Sequence, residues 1–276
     1  MAGSCIKVFY PELLKQIFMA GRPLSAEIIA LLNDRAHLYN KAGFIESDPV
    51  SVPHRFSDAR NIEIAGFLTA VISWGQRPQI IRNAIQLMAL MDNDPYHFLL
   101  HSQDTEMQRF SHFYYRTFNG DDCMFFIRRL RKLYRQEFSI RQVFEQGYRS
   151  GGNVKEAIIH FRSVFMEGYI GRTHRHLSDP SKGSAAKRLN MYLRWMVRKD
   201  ANGVDFGLWK EIPPSALYMP LDVHSGNVAR KLGLLHRKSN DWKAVEELTG
   251  RLRTLDQEDP VKYDFALFGM GVFEKF

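Results

Sequence analysis

Apolar positions from about residue 25 to residue 269 recur three and four apart, the spacing that buries one stripe of a helix, and no stretch alternates in the β-branched pattern of a strand. Ser25 is placed to cap a helix running to about Asn40, with Ile28, Leu31, Leu32 and Leu38 inward and Gly43 beyond its end. A loop with Pro49, Pro53 and His54 follows. The next helix, over about 61–74, carries Ile64, Phe67, Leu68, Val71 and Ile72, too dense a set to leave a wide polar face, which predicts a central, buried element. Gly75-Gln76-Arg77-Pro78 breaks it, and Pro78 fits as the first residue of a helix reaching Met91.

Several shorter helices fill residues 95–168. Asp121 or Asp122 starts one that ends near Gln136, Ser139 caps another, and Asn153 with Glu156 resembles a capping box ahead of Ile158, Phe161 and Phe165. Arg128, Arg129, Arg131, Lys132 and Arg135 form a basic face, either solvated surface or a track for phosphates. Phe110, Phe113, Tyr114, Tyr115 and Phe118 are expected in the core rather than as a stacking platform for bases. A polar loop with Arg172, His174 and His176 precedes a helix that opens after Gly183-Ser184, burying Leu189, Tyr192, Leu193, Met196 and Val197 and holding Lys187 in its first turn. Another helix follows Pro220, with Asp222 at its N-cap, Val223, Val228, Ala229 and Leu232 inward, and Gly233 at its end. A helix over about 241–255 comes next. Asp259 as cap and Pro260 as first residue then open the last helix, with Tyr263, Phe265, Leu267 and Phe268. The fold class is therefore all-α, with a poorly patterned extension over residues 1–24 ahead of one helical domain over 25–276.

Composition narrows the function. With 38 Lys+Arg against 30 Asp+Glu the net charge is +8, which favours a polyanionic partner. Cys5 and Cys123 are the only cysteines, too few for a disulfide framework, a four-cysteine iron–sulfur cluster or a zinc ribbon, and in keeping with a cytoplasmic protein. His174 and His176 lack a third ligand at a familiar spacing, so no metal or other cofactor is expected. No apolar run is long enough for a membrane span.

Lys187 and Asp222 supply the candidate chemistry. An amine in the first turn of one helix and a carboxylate capping another are the parts of a nucleophile with a partner able to take its proton or to stabilise positive charge. Ser184-Ala185-Ala186-Lys187 also satisfies S-x-x-K, but Lys238-Ser239-Asn240 and Leu248-Thr249-Gly250 stand in place of the S-D-N and K-T-G partners of that hydrolase class.

The segment Pro220-Leu221-Asp222-Val223-His224, followed by Val228-Ala229-Arg230, resembles the P-V-D-x-H segment of the helix-hairpin-helix DNA glycosylase superfamily. Lys187 matches the place of that superfamily's Schiff-base lysine, at a separation from Asp222 similar to the archaeal 8-oxoguanine glycosylase branch. The runs PHRF, EIAGFLTAVISWGQR, GSAAKRLNMYLRWMVR, PLDVH and DPVKYDFALFG resemble a bacterial family labelled only as a domain of unknown function, at the edge of the same superfamily. The resemblance implies two helical lobes with a cleft between them, and a monomer that acts on double-stranded DNA to release an oxidised purine such as 8-oxoguanine, with possible abasic-site lyase activity. It further implies that Lys187 and Asp222 are catalytic, and that Trp74, Gln76, Met191, His224 and Phe268 contact the base. Lys182, Gly183, Ser184 and Arg188 would bind the DNA backbone, although Asp179-Pro180-Ser181-Lys182-Gly183-Ser184 stands where the superfamily's hairpin usually reads L-P-G-V-G. The alternative is a non-catalytic nucleic-acid-binding protein of the same fold.

Overall fold

A computed structural model describes residues 24–169 and 173–276. The extension over 1–24 (Leu24 apart) and Arg172 lie outside the described residues, as does the side chain of His174. Among the described residues there are twelve α-helices and no strand, only two isolated bridges, Tyr115 to Phe118 and Ser184 to Asp241. None of these helices is long and apolar enough to cross a membrane.

The first helix, α1 (Ala26–Tyr39), is capped by Ser25, whose hydroxyl accepts from Ile28 N at 3.4 Å. It buries Ile28, Leu31, Leu32 and Ala36; Leu38, expected inward, is 42% exposed because that stripe stops at Ala36. Gly43, expected past the helix, lies inside the short α2 (Ala42–Ile45). Asp58 caps α3 (Ala59–Val71), which is buried without interruption from Ile62 to Val71, as its dense apolar pattern requires. The break at Gly75 leads into α4 (Arg77–Ala89), where Gln76 is the cap and Pro78 sits one place later than expected.

Then come α5 (Pro95–His101), α6 (Gly120–Arg135), α7 (Ile140–Gly151) and α8 (Val154–Phe165). A reciprocal box of Asn119 and Asp122 caps α6, and Ser139 with Gln142 does the same for α7. The remaining helices are α9 (Lys187–Val197), α10 (Val223–Lys231), α11 (Trp242–Arg253) and α12 (Tyr263–Gly269), the last running into a wide turn over Met270–Glu274.

At the centre α3 crosses α9, and Phe67 meets the rings of Phe126, Phe161, Phe165 and Tyr192 at 5.3 to 6.1 Å. Helix α7 lies close against α8. A Cβ on Gly147 would stand 2.6 Å from His160 Cβ and 2.9 Å from Ala157 Cα, too near for the backbones to keep their places. Gly147→Ala gains about 1 kcal/mol of helix propensity, but overpacking costs roughly 1–3 kcal/mol, so a net loss of stability is expected in urea unfolding. An unchanged midpoint would mean the two helices can separate freely.

Several polar expectations resolve into structural roles. Arg129 donates to Val164 O at 2.5 Å, Arg131 to Ser102 O at 2.5 Å and Arg135 to Leu100 O at 3.0 Å, so three members of the basic run satisfy carbonyls rather than track phosphate. Tyr114, expected in the core, is 69% exposed, whereas Phe110, Phe113, Tyr115 and Phe118 are buried. The Asp259 side chain caps nothing; it accepts from Arg198 Nε at 2.9 Å. That arginine belongs to a buried network in which Asp205 takes Arg194 Nε at 3.2 Å and Arg198 Nη1 at 3.1 Å, while Arg194 Nη1 reaches Asp264. Sites this dry tolerate such charges only when every one has a partner.

Candidate functional site

Two helix N-termini meet at the site. The first, α9, begins after Ala186, which adopts a left-handed backbone (φ 46°, ψ 37°) although it bears a Cβ, a conformation costing an L-residue roughly 1–2 kcal/mol. Its amide is held by Ser184 Oγ at 3.3 Å. Lys187, Met191 and Arg194, spaced i, i+4 and i+7, then share one face of α9 and line one cavity of about 800 Å3.

The second, α10, is capped by Asp222. Its Oδ1 accepts from Ser225 N at 2.9 Å and Ser225 Oγ at 3.1 Å, while Ser225 Oγ accepts from Asp222 N at 3.0 Å. Capping thus occupies one carboxylate oxygen. The other, Oδ2, lies 3.9 Å from Lys187 Nζ, with 30% of the lysine and 21% of the aspartate side chain exposed. One short stretch braces both helix ends: Asn240 Nδ2 donates to Asp222 O at 2.9 Å, and Trp242 N donates to Gly183 O at 2.9 Å.

Trp74, Gln76, His224 and Phe268 line the same cavity. Much of the Trp74 ring is already covered, since His176 stacks on it at 5.6 Å and the Arg188 guanidinium lies 4.8 Å from its centre. The indole therefore forms wall rather than an open stacking face. Phe268 has Phe44 edge-on at 6.2 Å and lines the same cavity. Val223, expected to pack inward, is 64% exposed at the cavity rim, because the cap at Asp222 turns the first residue of α10 outward.

The expected backbone-binding group divides. The amides of Lys182, Gly183 and Ser184 already donate to Asp179 O at 3.2 Å, Pro180 O at 3.0 Å and Asp179 O at 3.2 Å, so this turn satisfies its own N–H groups instead of offering them to a phosphate. Gly183 takes the left-handed conformation (φ 83°) that such a turn needs. Arg188 is not on this surface; it lines the cavity and donates to Val71 O and, at 3.1 Å, to Arg175 O. Its desolvation pulls the guanidinium down to about 10.

Sequence reasoning missed four acidic or basic members of the cavity, Asp48, Arg77, Arg194 and Asp264. Asp264, buried in the first turn of α12, has its carboxyl pushed up to about 6 by burial, partly offset by Arg194 and reinforced by Asp222. Asp48 is raised by burial as well, against the pull of Val50 N, Arg194, Lys187 and Arg77. Arg194 was legible only as the i+7 partner of Lys187. His176, placed by sequence in a polar loop, is buried with Nε2 3.1 Å from Asp122 Oδ2, and burial lowers its pKa while Asp122 opposes the change. Among the described residues no group of three or more His, Cys, Asp or Glu side chains is arranged to hold a metal.

Because the folded pKa of Asp264 lies above its unfolded value, this group favours the fold at low pH and loses that contribution as pH rises through about 6. Relative to Asp264→Asn, the wild type is expected to lose on the order of 2 kcal/mol between pH 4 and pH 7. Thermal melting of both proteins across that range checks it; parallel curves would refute the assignment.

No curated protein and no solved structure matches this sequence. One protein family does, described as a protein of unknown function (DUF2400), over residues 48–273. That match runs from Asp48 in the cavity wall through Lys187, Asp222 and Asp264 to the turn after α12, and the chain belongs to the DUF2400 family.

Proposed function

We propose that the protein is a DNA glycosylase with abasic-site lyase activity, acting on an oxidised purine such as 8-oxoguanine in double-stranded DNA. The observation behind this reading is the Lys187 amine 3.9 Å from the Asp222 carboxylate on the wall of a cavity of about 800 Å3, within the size range of small-ligand sites. On this reading the helices form two lobes about that cleft, as in helix-hairpin-helix glycosylases.

The target nucleotide leaves the stack at a cost of a few kcal/mol, which contacts in the cavity offset. The Lys187 amine attacks C1′, and the glycosidic bond breaks with its electron pair leaving on the base, which takes up a proton. Asp222 Oδ2 accepts a proton from the amine and stabilises the oxocarbenium charge that develops at the sugar. Ring opening, with O4′ taking up the proton that Asp222 received, leaves an imine, and loss of a 2′ proton then expels the 3′ phosphate. Met191, one turn beyond Lys187, and Phe268 flank the base, with Gln76 and His224 at the rim.

Borohydride reduction of a mixture of the protein with a duplex carrying 8-oxoguanine or an abasic site is expected to trap a covalent protein–DNA adduct. Salt-sensitive duplex binding with neither adduct nor base release would instead favour a non-catalytic nucleic-acid-binding protein.

A further inference from the structure

The cavity carries more positive charge than its own carboxylates neutralise. Arg77, Lys187, Arg188 and Arg194 line it against Asp48, Asp222 and Asp264. Arg194 is bound by Asp205 and Asp264, and Lys187 faces Asp222. Arg77 and Arg188 form no ion pair among the described residues. Arg77 Nη1 is buried without a hydrogen-bond partner, and its guanidinium is held by rings, 5.5 Å from the centre of Phe268 and 5.1 Å from that of Phe273. Arg188 is bonded by carbonyl oxygens alone.

A third guanidinium, exposed and outside the cavity lining, lies against Gly75 of the same corner. Arg116, in a left-handed turn (φ 56°), covers Gly75 so closely that a Cβ there would stand 2.6 Å from its Cζ. The hydroxyl of the preceding Tyr115 fixes that turn to the same corner by donating to Trp74 O at 2.8 Å. Arg77 is also the first residue of α4, whose cap Gln76 makes no side-chain bond, so the positive end of the helix adds to the field. Asp48 acts on Arg77 only from beyond ion-pair distance; a desolvated guanidinium without a close counter-charge is unfavourable, and a phosphate matches its planar donors in both charge and geometry.

We infer that the corner over residues 74–78, with Arg77 and Arg188 lining it and Arg116 at its outer edge, is a phosphate-binding subsite of the cavity, taking one phosphate group of a nucleotide. The identity of that group as a phosphodiester beside an extruded nucleotide rests on the proposed glycosylase reading; the subsite does not. It places the anion grip at α4 and away from the turn before α9, whose amides are already satisfied.

Binding of the full chain to 2′-deoxyguanosine 5′-monophosphate, to 2′-deoxyguanosine, and to a duplex bearing a tetrahydrofuran abasic analogue tests this. Wild type is expected to prefer the monophosphate to the nucleoside by about tenfold or more. Arg77→Gln should lose about tenfold for phosphate-bearing probes and nothing for the nucleoside, lowering the salt slope on duplex by about one. Arg77→Lys should recover part of the loss, and Arg116→Gln should reproduce some of it. Arg82→Gln, exposed on the same helix, should change none of it. A methylphosphonate beside the analogue that weakens wild type, but weakens Arg77→Gln no further, identifies a strand phosphate. A loss confined to the monophosphate identifies a free nucleotide, upholding the subsite while counting against the glycosylase reading. Equal binding of nucleoside and monophosphate by wild type, with Arg77→Gln binding duplex as wild type does, overturns the subsite.

Discussion

Lys187→Gln is expected to abolish the borohydride-trapped adduct, and Asp222→Asn to slow its formation by about 10²- to 10³-fold while leaving the protein folded. The two substitutions remove different things. An amide nitrogen at position 187 is not a nucleophile, so no imine can form. At position 222, asparagine is as good an N-cap as aspartate and can still accept from Ser225 N through its carbonyl oxygen, so α10 keeps its first turn. Only the negative charge 3.9 Å from Lys187 Nζ is lost. Trapping rates and melting temperatures measured on the same preparations separate these effects. Wild-type rates in Asp222→Asn would reduce that carboxylate to a cap, and undiminished adduct in Lys187→Gln would move the nucleophile elsewhere.

The largest stability effect is expected from Arg194→Met, at about 3–5 kcal/mol at pH 7. The replacement keeps most of the aliphatic volume against Phe265, over which the Arg194 guanidinium now sits at 4.3 Å. It strips Asp264 of its strongest cationic neighbour and leaves Asp205 with Arg198 alone. An uncompensated buried carboxylate is more costly than the loss of packing. The deficit should shrink toward pH 5, where Asp264 can take up a proton, because a carboxyl with a raised folded pKa favours the fold in its protonated form. Since native proteins hold only about 5–15 kcal/mol in total, calorimetry across that pH interval should resolve the change readily. A pH-independent melting difference would place the Asp264 contribution outside this pair.

The helices and their caps were largely legible because they depend on neighbours in sequence. Ser25, Ser139 and Asp222 cap through bonds to residues three positions on, and the density of α3 alone forecast its burial. Contacts between distant segments were not legible. Arg194 reads as an ordinary polar position until Asp205 and Asp264 are brought to it, and Asp264 reads as a solvated first-turn acid until α12 is covered. The basic run on α6 read as solvated surface or a phosphate track because nothing in sequence shows which carbonyls Arg129, Arg131 and Arg135 will find. Lys187 and Asp222 were each visible as helix-start residues; their 3.9 Å separation is a property of the assembled chain.

The stretch over residues 240–242 touches the chain ahead of α9 and the cap of α10 at once, through Gly183 O and Asp222 O. It comes later in the polypeptide than either group it steadies, so the gap between amine and carboxylate is gauged by a third party. A substitution at Asn240, which handles neither proton nor sugar, would therefore retune the reach of Lys187 toward Asp222 as a jig resets two tools it does not itself replace.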